Sequence, residues 1–528
     1  MPPKIKELGK QLAIYGAGDV AVSAVNLLLL PIYVRYLSER DYGILGLLGA
    51  VEVIAKILFR LGLDGSFMRF FYESDEPGAR QRLASTIFYF LLTVNGILLF
   101  ASLLASTWLA RVVFGDASAA LPLQLVLLNT FAIGFTFFPF HVLRMEQRSA
   151  EFSLLAILRS VATVVLRLIL VVSAGLGVLG VVVADVVVTA GLIVVLLRRF
   201  APLIRTVFDW HVLRESLAFG FPRVPHAAAQ QIMAVGDKFI LAAFRPIAEV
   251  GVYSMGVSFG LTQKLFLSAF EYAWAPFYYS ASREPGAPVL FARVTTYGVA
   301  ALGLLTAGLS AIARDLLDLM TRGVFVEAAP VVAWTAVGVF LQGVYLLTSI
   351  GLNITKRTAY YPASTIAAAA ANIGLNYALI PRYGMLGAAW ANAAAYGVQA
   401  GLAYSFSQRV YPVRYERGRL TRVCVASVLA FAAGIAVPSL PPLAGVLIRG
   451  MVVMGVFTGL LWVSGFFKRD ELRVLSRLRP KRTPLAPTSD VTELAGEIVA
   501  TDLPEVDLEV RESDSHAQVH SVKTTFER

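Results

Sequence analysis

The chain has 528 residues, of which 57% are hydrophobic and only 15% charged, and its formal net charge is +11. A soluble chain of this length would be read as about three domains, but a mean hydropathy of +0.68 is more than any soluble core requires. Mostly apolar segments recur between short polar breaks, each long enough to cross a hydrocarbon core of about 30 Å as a helix. The pattern excludes a β-barrel, whose strands would alternate over about ten residues.

In chain order the expected spans lie at about 12–36, 42–63, 83–107, 118–143, 152–175, 177–198, 215–244, 248–278, 290–313, 325–353, 359–380, 384–407, 420–438 and 443–467. They define an all-α integral membrane protein of about 14 transmembrane helices. The first run is too long for the apolar region of a cleavable signal and carries on past Pro31. Cys424, the only cysteine, falls inside span thirteen, which excludes disulfides and a cysteine-based metal site. The five histidines show no metal-ligand spacing.

Lysine and arginine in the short loops set the orientation. With the N-terminus inside, the inner loops carry Lys4, Lys6 and Lys10 and a long series of arginines running to Arg422. The outer loops carry only Arg40, Arg111, Arg245, Arg314, Arg322 and Arg382. Both termini are therefore expected in the cytoplasm. After a basic juxtamembrane segment, 468–480, the tail 481–528 has ten acids against five lysines and arginines. With Pro484, Pro487, Pro504 and few aromatics, it reads as a disordered extension.

The polar connectors repeat. In YLSERDYGILG the triplet Asp41-Tyr42-Gly43 is echoed 208 residues later by Glu249-Val250-Gly251. Pro122 and Pro330 are also 208 apart. Gln147-Arg148-Ser149-Ala150 returns as Lys356-Arg357-Thr358-Ala359, and Gly177–Asp185 returns as Gly384–Asn392. The chain thus reads as two copies of a six-helix unit, 1–198 and 215–408, joined by a basic linker, 199–214, with helices 13 and 14 added over 409–467. Six is even, so the copies point the same way as parallel repeats, the arrangement of transporters that hold substrate between their halves.

At this point the residues resemble a known family. Fourteen spans as two six-helix bundles plus two are similar to the multidrug/oligosaccharidyl-lipid/polysaccharide exporter superfamily. The words YLSERDYGILGLL, LGLDGSFMRFF and GDKFILAAFRPIAEVGVYSMG resemble its polysaccharide transporter (O-antigen flippase-like) branch over about residues 1–470. The resemblance implies a flippase that moves a polyprenyl-pyrophosphate-linked oligosaccharide across the bacterial inner membrane for surface polysaccharide assembly. The alternatives within the superfamily are a lipid II-type flippase and a multidrug exporter. Its implied partners are the lipid-linked oligosaccharide, membrane lipids and, through the tail, polysaccharide assembly proteins.

Charges inside spans are costly and mark wet cavities or partners. Glu52, Lys56 and Arg60 share one face of span two, and the repeat offset carries Lys56 onto Lys264. Two equivalent lysines facing one another could grip a pyrophosphate as flexible point charges. The plainer reading pairs Lys56 with Glu52, and Lys264 with Glu271. Arg159 and Arg167 either extend a cationic surface or pair with Asp185. Arg223 is either a cavity cation or a residue that snorkels to the interface. Asp237 reads as a structural counter-ion or a proton site, with the structural role preferred. Pro222 and Pro225, with Pro31, are hinge candidates.

An exporter of cationic drugs would want acids where this chain has lysines. An enzyme would want paired carboxylates or a metal in an aqueous domain, whereas 199–214 holds Asp209 as its one acid. The expectation is a non-enzymatic transporter with no cofactor, no metal and no nucleic-acid partner, able to work as a monomer. Coupling to protons, sodium or the membrane potential stays open.

Overall fold

A computed structural model describes residues 31–71, 73, 78–146 and 148–468. The chain divides into a compact unit, Met1–Phe466, and a second unit, Phe467–Arg528. Span one up to Leu30 and the tail 481–528 lie outside the described residues. The described residues are helical without strands, and ten of their helices are long and apolar enough to cross a membrane. The protein is a multi-pass membrane protein.

The first half contains α1 (Glu39–Arg60), α2 (Leu63–Phe70), α3 (Ala79–Leu104), α4 (Ser106–Phe114), α5 (Ala120–Gly134), α6 (Phe137–Met145), α7 (Ser149–Leu168) and α8 (Gly177–Phe200). The second contains α9 (Trp210–Gly220), α10 (Val224–Phe244), α11 (Ile247–Gly260), α12 (Lys264–Ala281), α13 (Ala287–Thr321), α14 (Ala329–Thr348), α15 (Ile350–Ile354) and α16 (Tyr360–Val410). Last come α17 (Arg417–Ile435) and α18 (Pro442–Val463). α16 is two helices joined at Gly384, whose φ of 56° and ψ of −134° reverse the chain.

The charged word before α1 is a helix start. Ser38 is the N-cap: its Oγ accepts from the Asp41 N–H at 3.2 Å, and the Asp41 carboxylate accepts from the Ser38 N–H at 2.9 Å. This capping box satisfies two N–H groups that the first turn leaves open. Arg40 donates to Asp116 at 2.8 Å across the loop before α5. The Ser118 backbone N–H, with its hydroxyl and Arg40, holds the Asp116 carboxyl below the usual carboxylate range.

The glycine of the repeated word has a different task. A Cβ on Gly43 would lie 2.6 Å from Ile247 Cγ2 and run into the Ile247 carbonyl. A Cβ on Gly251 would lie 2.8 Å from the Gly43 nitrogen and run into the Glu39 carbonyl. Residue 247 is the repeat equivalent of 39, and 251 of 43, so the contact is reciprocal, as a two-fold axis demands. Gly46 and its equivalent Ser254 also face each other, so α1 and α11 cross on the axis relating the halves. The acid has diverged. Asp41 caps its own helix, whereas the Glu249 carboxylate accepts from the Met385 N–H at 2.8 Å, bracing the reversal at Gly384.

Three expectations change. Span seven is not one helix: a 3-10 turn, Phe221–Arg223, separates α9 from α10. Pro222 and Pro225 stand at the starts of that turn and of α10, where a missing N–H removes no intrahelical bond. Span eight is broken likewise by a 3-10 turn, Leu261–Gln263. The expected linker 199–214 is docked structure. The N–H groups of Arg205 and Asp209 donate to Ser85 Oγ and Thr86 Oγ1 on α3, at 2.7 and 3.1 Å, and Asp209 then caps α9.

α17 and α18 pack on each other and on α13. Arg449 of α18 forms an ion pair with the Asp315 carboxylate of α13 at 2.7 Å and donates to the Gly434 carbonyl at the end of α17 at 2.9 Å. Both charged side chains are only 12% exposed. One guanidinium therefore ties three helices together, neutralising a buried acid while satisfying a helix-end carbonyl.

Candidate functional site

The second half of α1 carries Glu52, Lys56 and Arg60 into a cavity of about 750 Å³. α5 and α6 contribute Asn129, His141 and Arg144. α7 contributes Arg159 and Arg167, and α8 contributes Asp185. The break between α5 and α6 at Phe135–Thr136 is a pair of short turns: the Phe135 N–H donates to the Ala132 carbonyl and the Thr136 N–H to that of Ile133. Five cations and two acids line this space.

The local pairs are explicit. Lys56 Nζ lies 2.5 Å from Glu52 Oε1, one turn away on α1. Arg167 forks onto Asp185, its Nε and Nη2 donating at 3.0 and 2.7 Å, so of its two sequence readings the pairing with Asp185 is the one seen. Arg60 reaches Asp64 only at 3.8 Å, and its Nε is buried without a hydrogen-bond partner. Arg144 stacks over the Phe152 ring at 4.7 Å. Neither Arg144 nor Arg159 has an ion-pair partner among the described residues. The two acids are thus engaged by Lys56 and Arg167, and the remaining cations face the cavity in excess.

Asn129 and His141 went unnoticed in the sequence. Asn129 is only 7% exposed, and its Oδ1, like His141 Nδ1, is buried without a partner. Unmet polar atoms on a cavity wall are costly without a guest. No local motif marks them, because the charges they face on α1 come from distant sequence.

Lys264 sits elsewhere. It lines a second cavity of about 250 Å³ in the other half, with Glu271, Gln342 and Tyr345. It makes no ion pair with Glu271 among the described residues. The equivalent lysines lie ten residues past Gly46 and Ser254, Lys56 on α1 and Lys264 at the start of α12, and they line different cavities.

Other expected residues fall outside both cavities. Arg223 is exposed and stacks over Phe219 at 4.1 Å. Asp237 is 1% exposed and accepts from the Tyr253 hydroxyl, from Asn392 Nδ2 at 3.2 Å and from the Lys238 N–H at 2.8 Å. It joins α10, α11 and α16 through these bonds. Pro31 is the first described residue, so its place in span one lies outside them. The described residues contain no cluster of histidine, cysteine or acid side chains able to hold a metal.

The cationic cavity lies inside a bundle of membrane-length helices, and comparison with solved structures shows which fold this is. The chain is similar in fold to a structure described as the lipid II flippase MurJ in an inward closed conformation. Identity there is 14% and the TM-score 0.68, covering 87% of this chain and 100% of that one. It is also similar to a multidrug resistance MATE family transporter of the MOP superfamily in an inward-facing conformation. There identity is 15% and the TM-score 0.60, covering 77% and 98%. No curated protein sequence matches significantly. Residues 8–279 match the family described as polysaccharide biosynthesis protein, and the chain belongs to that family.

Proposed function

We propose that the protein is a flippase that moves a polyprenyl-pyrophosphate-linked oligosaccharide across a bacterial inner membrane by alternating access, without enzymatic chemistry. The observation that carries this reading is the 750 Å³ cavity, where five cations meet two acids and Arg159 has no ion-pair partner among the described residues. Uncompensated charge at membrane depth is expensive, and an anionic headgroup supplies the missing counter-charge. Family membership and the likeness to a lipid II flippase support the same reading. A drug cation would meet repulsion in this cavity. The pyrophosphate is held by Arg60, Arg144 and Arg159 beside Lys56.

Reconstitution tests it. Vesicles holding the full chain should move a fluorescent polyprenyl-pyrophosphate disaccharide between leaflets faster than empty vesicles, and Arg159→Gln should lose most of that rate. Transport of ethidium in place of the lipid, or no difference from empty vesicles, would refute the proposal.

A further inference from the structure

The two halves keep one lysine in common and differ in what surrounds it. At the repeat offset Arg60 becomes Ser268 and Asp185 becomes Asn392, while Arg159 falls on the uncharged run Ile366-Ala367-Ala368. The second cavity is accordingly lined by four glutamines, Gln230, Gln231, Gln342 and Gln399, and by Tyr345 and Tyr396, with Lys264 and Glu271 balancing in charge. We infer that the Lys264 cavity is a subsite for an uncharged sugar of the substrate, recognising its hydroxyl or acetamido groups through these amides and phenols. This inference rests on the lipid-linked oligosaccharide reading above and adds to it a division of labour: pyrophosphate on the first half, glycan on the second.

The chemistry fits. A carboxamide donates and accepts at once, as does a phenol, which suits hydroxyl groups that do both. Tyrosine also offers a ring face to a sugar's C–H surface. Gln399 is 2% exposed, and its Nε2 donates to Thr365 Oγ1 at 3.1 Å, so its amide is fixed before any ligand arrives. At about 250 Å³ the cavity is smaller than the roughly 300–1,000 Å³ of sites that enclose a drug-sized molecule. It admits one part of a substrate, not the whole. A second pyrophosphate site is disfavoured because Glu271 offsets Lys264.

Binding by the full chain in lipid nanodiscs separates the alternatives. The probes are polyprenyl pyrophosphate carrying no sugar, one hexose or one N-acetylhexosamine. The wild-type protein should bind at least one sugar-bearing probe more tightly than the bare lipid. Gln231→Leu and Gln342→Leu, as single variants, should each weaken that binding about five- to tenfold, the value of one lost hydrogen bond, and leave the bare lipid unchanged. Arg159→Gln should weaken all three probes. If the wild type binds no probe, the lipid-linked reading itself falls. If it binds all three alike, or if the glutamine variants weaken bare-lipid binding equally, the subsite is overturned and the flippase reading stands. Gln230→Leu, checked with the others for a monodisperse fold, provides a third independent variant.

Discussion

Adding a single methyl group at Gly43 or Gly251 tests the pseudo-two-fold crossing directly. An alanine at 43 places its Cβ 2.6 Å from Ile247 Cγ2, and one at 251 places it 2.8 Å from a backbone nitrogen. Comfortable carbon contacts lie at about 3.5–4.0 Å, so α1 and α11 must separate by roughly 1 Å. Overpacking of this kind costs about 1–3 kcal/mol. At about 2.1 cal/mol/K per residue, each kcal/mol moves the Tm of a unit this size by roughly 1 °C. Gly49, also on α1, has open space around its would-be Cβ, so Gly49→Ala should gain about 0.4–1 kcal/mol from the stiffer unfolded chain. Thermal unfolding of the purified protein should therefore order the variants as Gly49→Ala, wild type, then Gly43→Ala and Gly251→Ala. Because one separation of the helices relieves both clashes, the double variant should fall short of additivity by about 0.5 kcal/mol or more. Equal stability of Gly43→Ala and Gly49→Ala would refute the crossing, and strict additivity would refute its reciprocity.

Other expectations follow from the ion pairs and breaks. Arg449→Leu should cost about 3–5 kcal/mol by stranding Asp315, while Arg449→Leu with Asp315→Leu should recover much of that loss in the same unfolding assay. Arg167→Gln should lower thermal stability by freeing Asp185, whereas Arg159→Gln should leave stability near wild type and lose most of the lipid movement. Pro222→Ala with Pro225→Ala should join α9 to α10 and slow transport in vesicles without loss of expression, and wild-type rates would remove this break from the moving parts. In a Cys424→Ala background, Ser439→Cys should react with an impermeant thiol reagent on intact cells and Glu284→Cys only after permeabilisation. The reverse pattern would invert the orientation.

The sequence by itself determined that the chain crosses the membrane, where most spans begin and end, and that it is a duplicated unit. Apolar length and polar loop words are local signals, and the repeat offset converts them into symmetry. Residue order also placed Glu52, Lys56 and Arg60 on one face, since helical periodicity is local too. It could not say where those faces point. Only tertiary structure put α5, α6 and α7 opposite α1, which brought Asn129, His141 and Arg144 to the same cavity and paired Arg167 with Asp185 across two helices. Only tertiary structure placed Lys56 and Lys264 on the walls of different cavities, because equivalence by offset fixes a symmetry operation and leaves the distance across the axis to helix packing. The same holds for Gly43 and Gly251. The sequence showed that glycine recurs, and the packing showed why: each leaves room for the other helix's backbone, a constraint that exists only once the two halves meet.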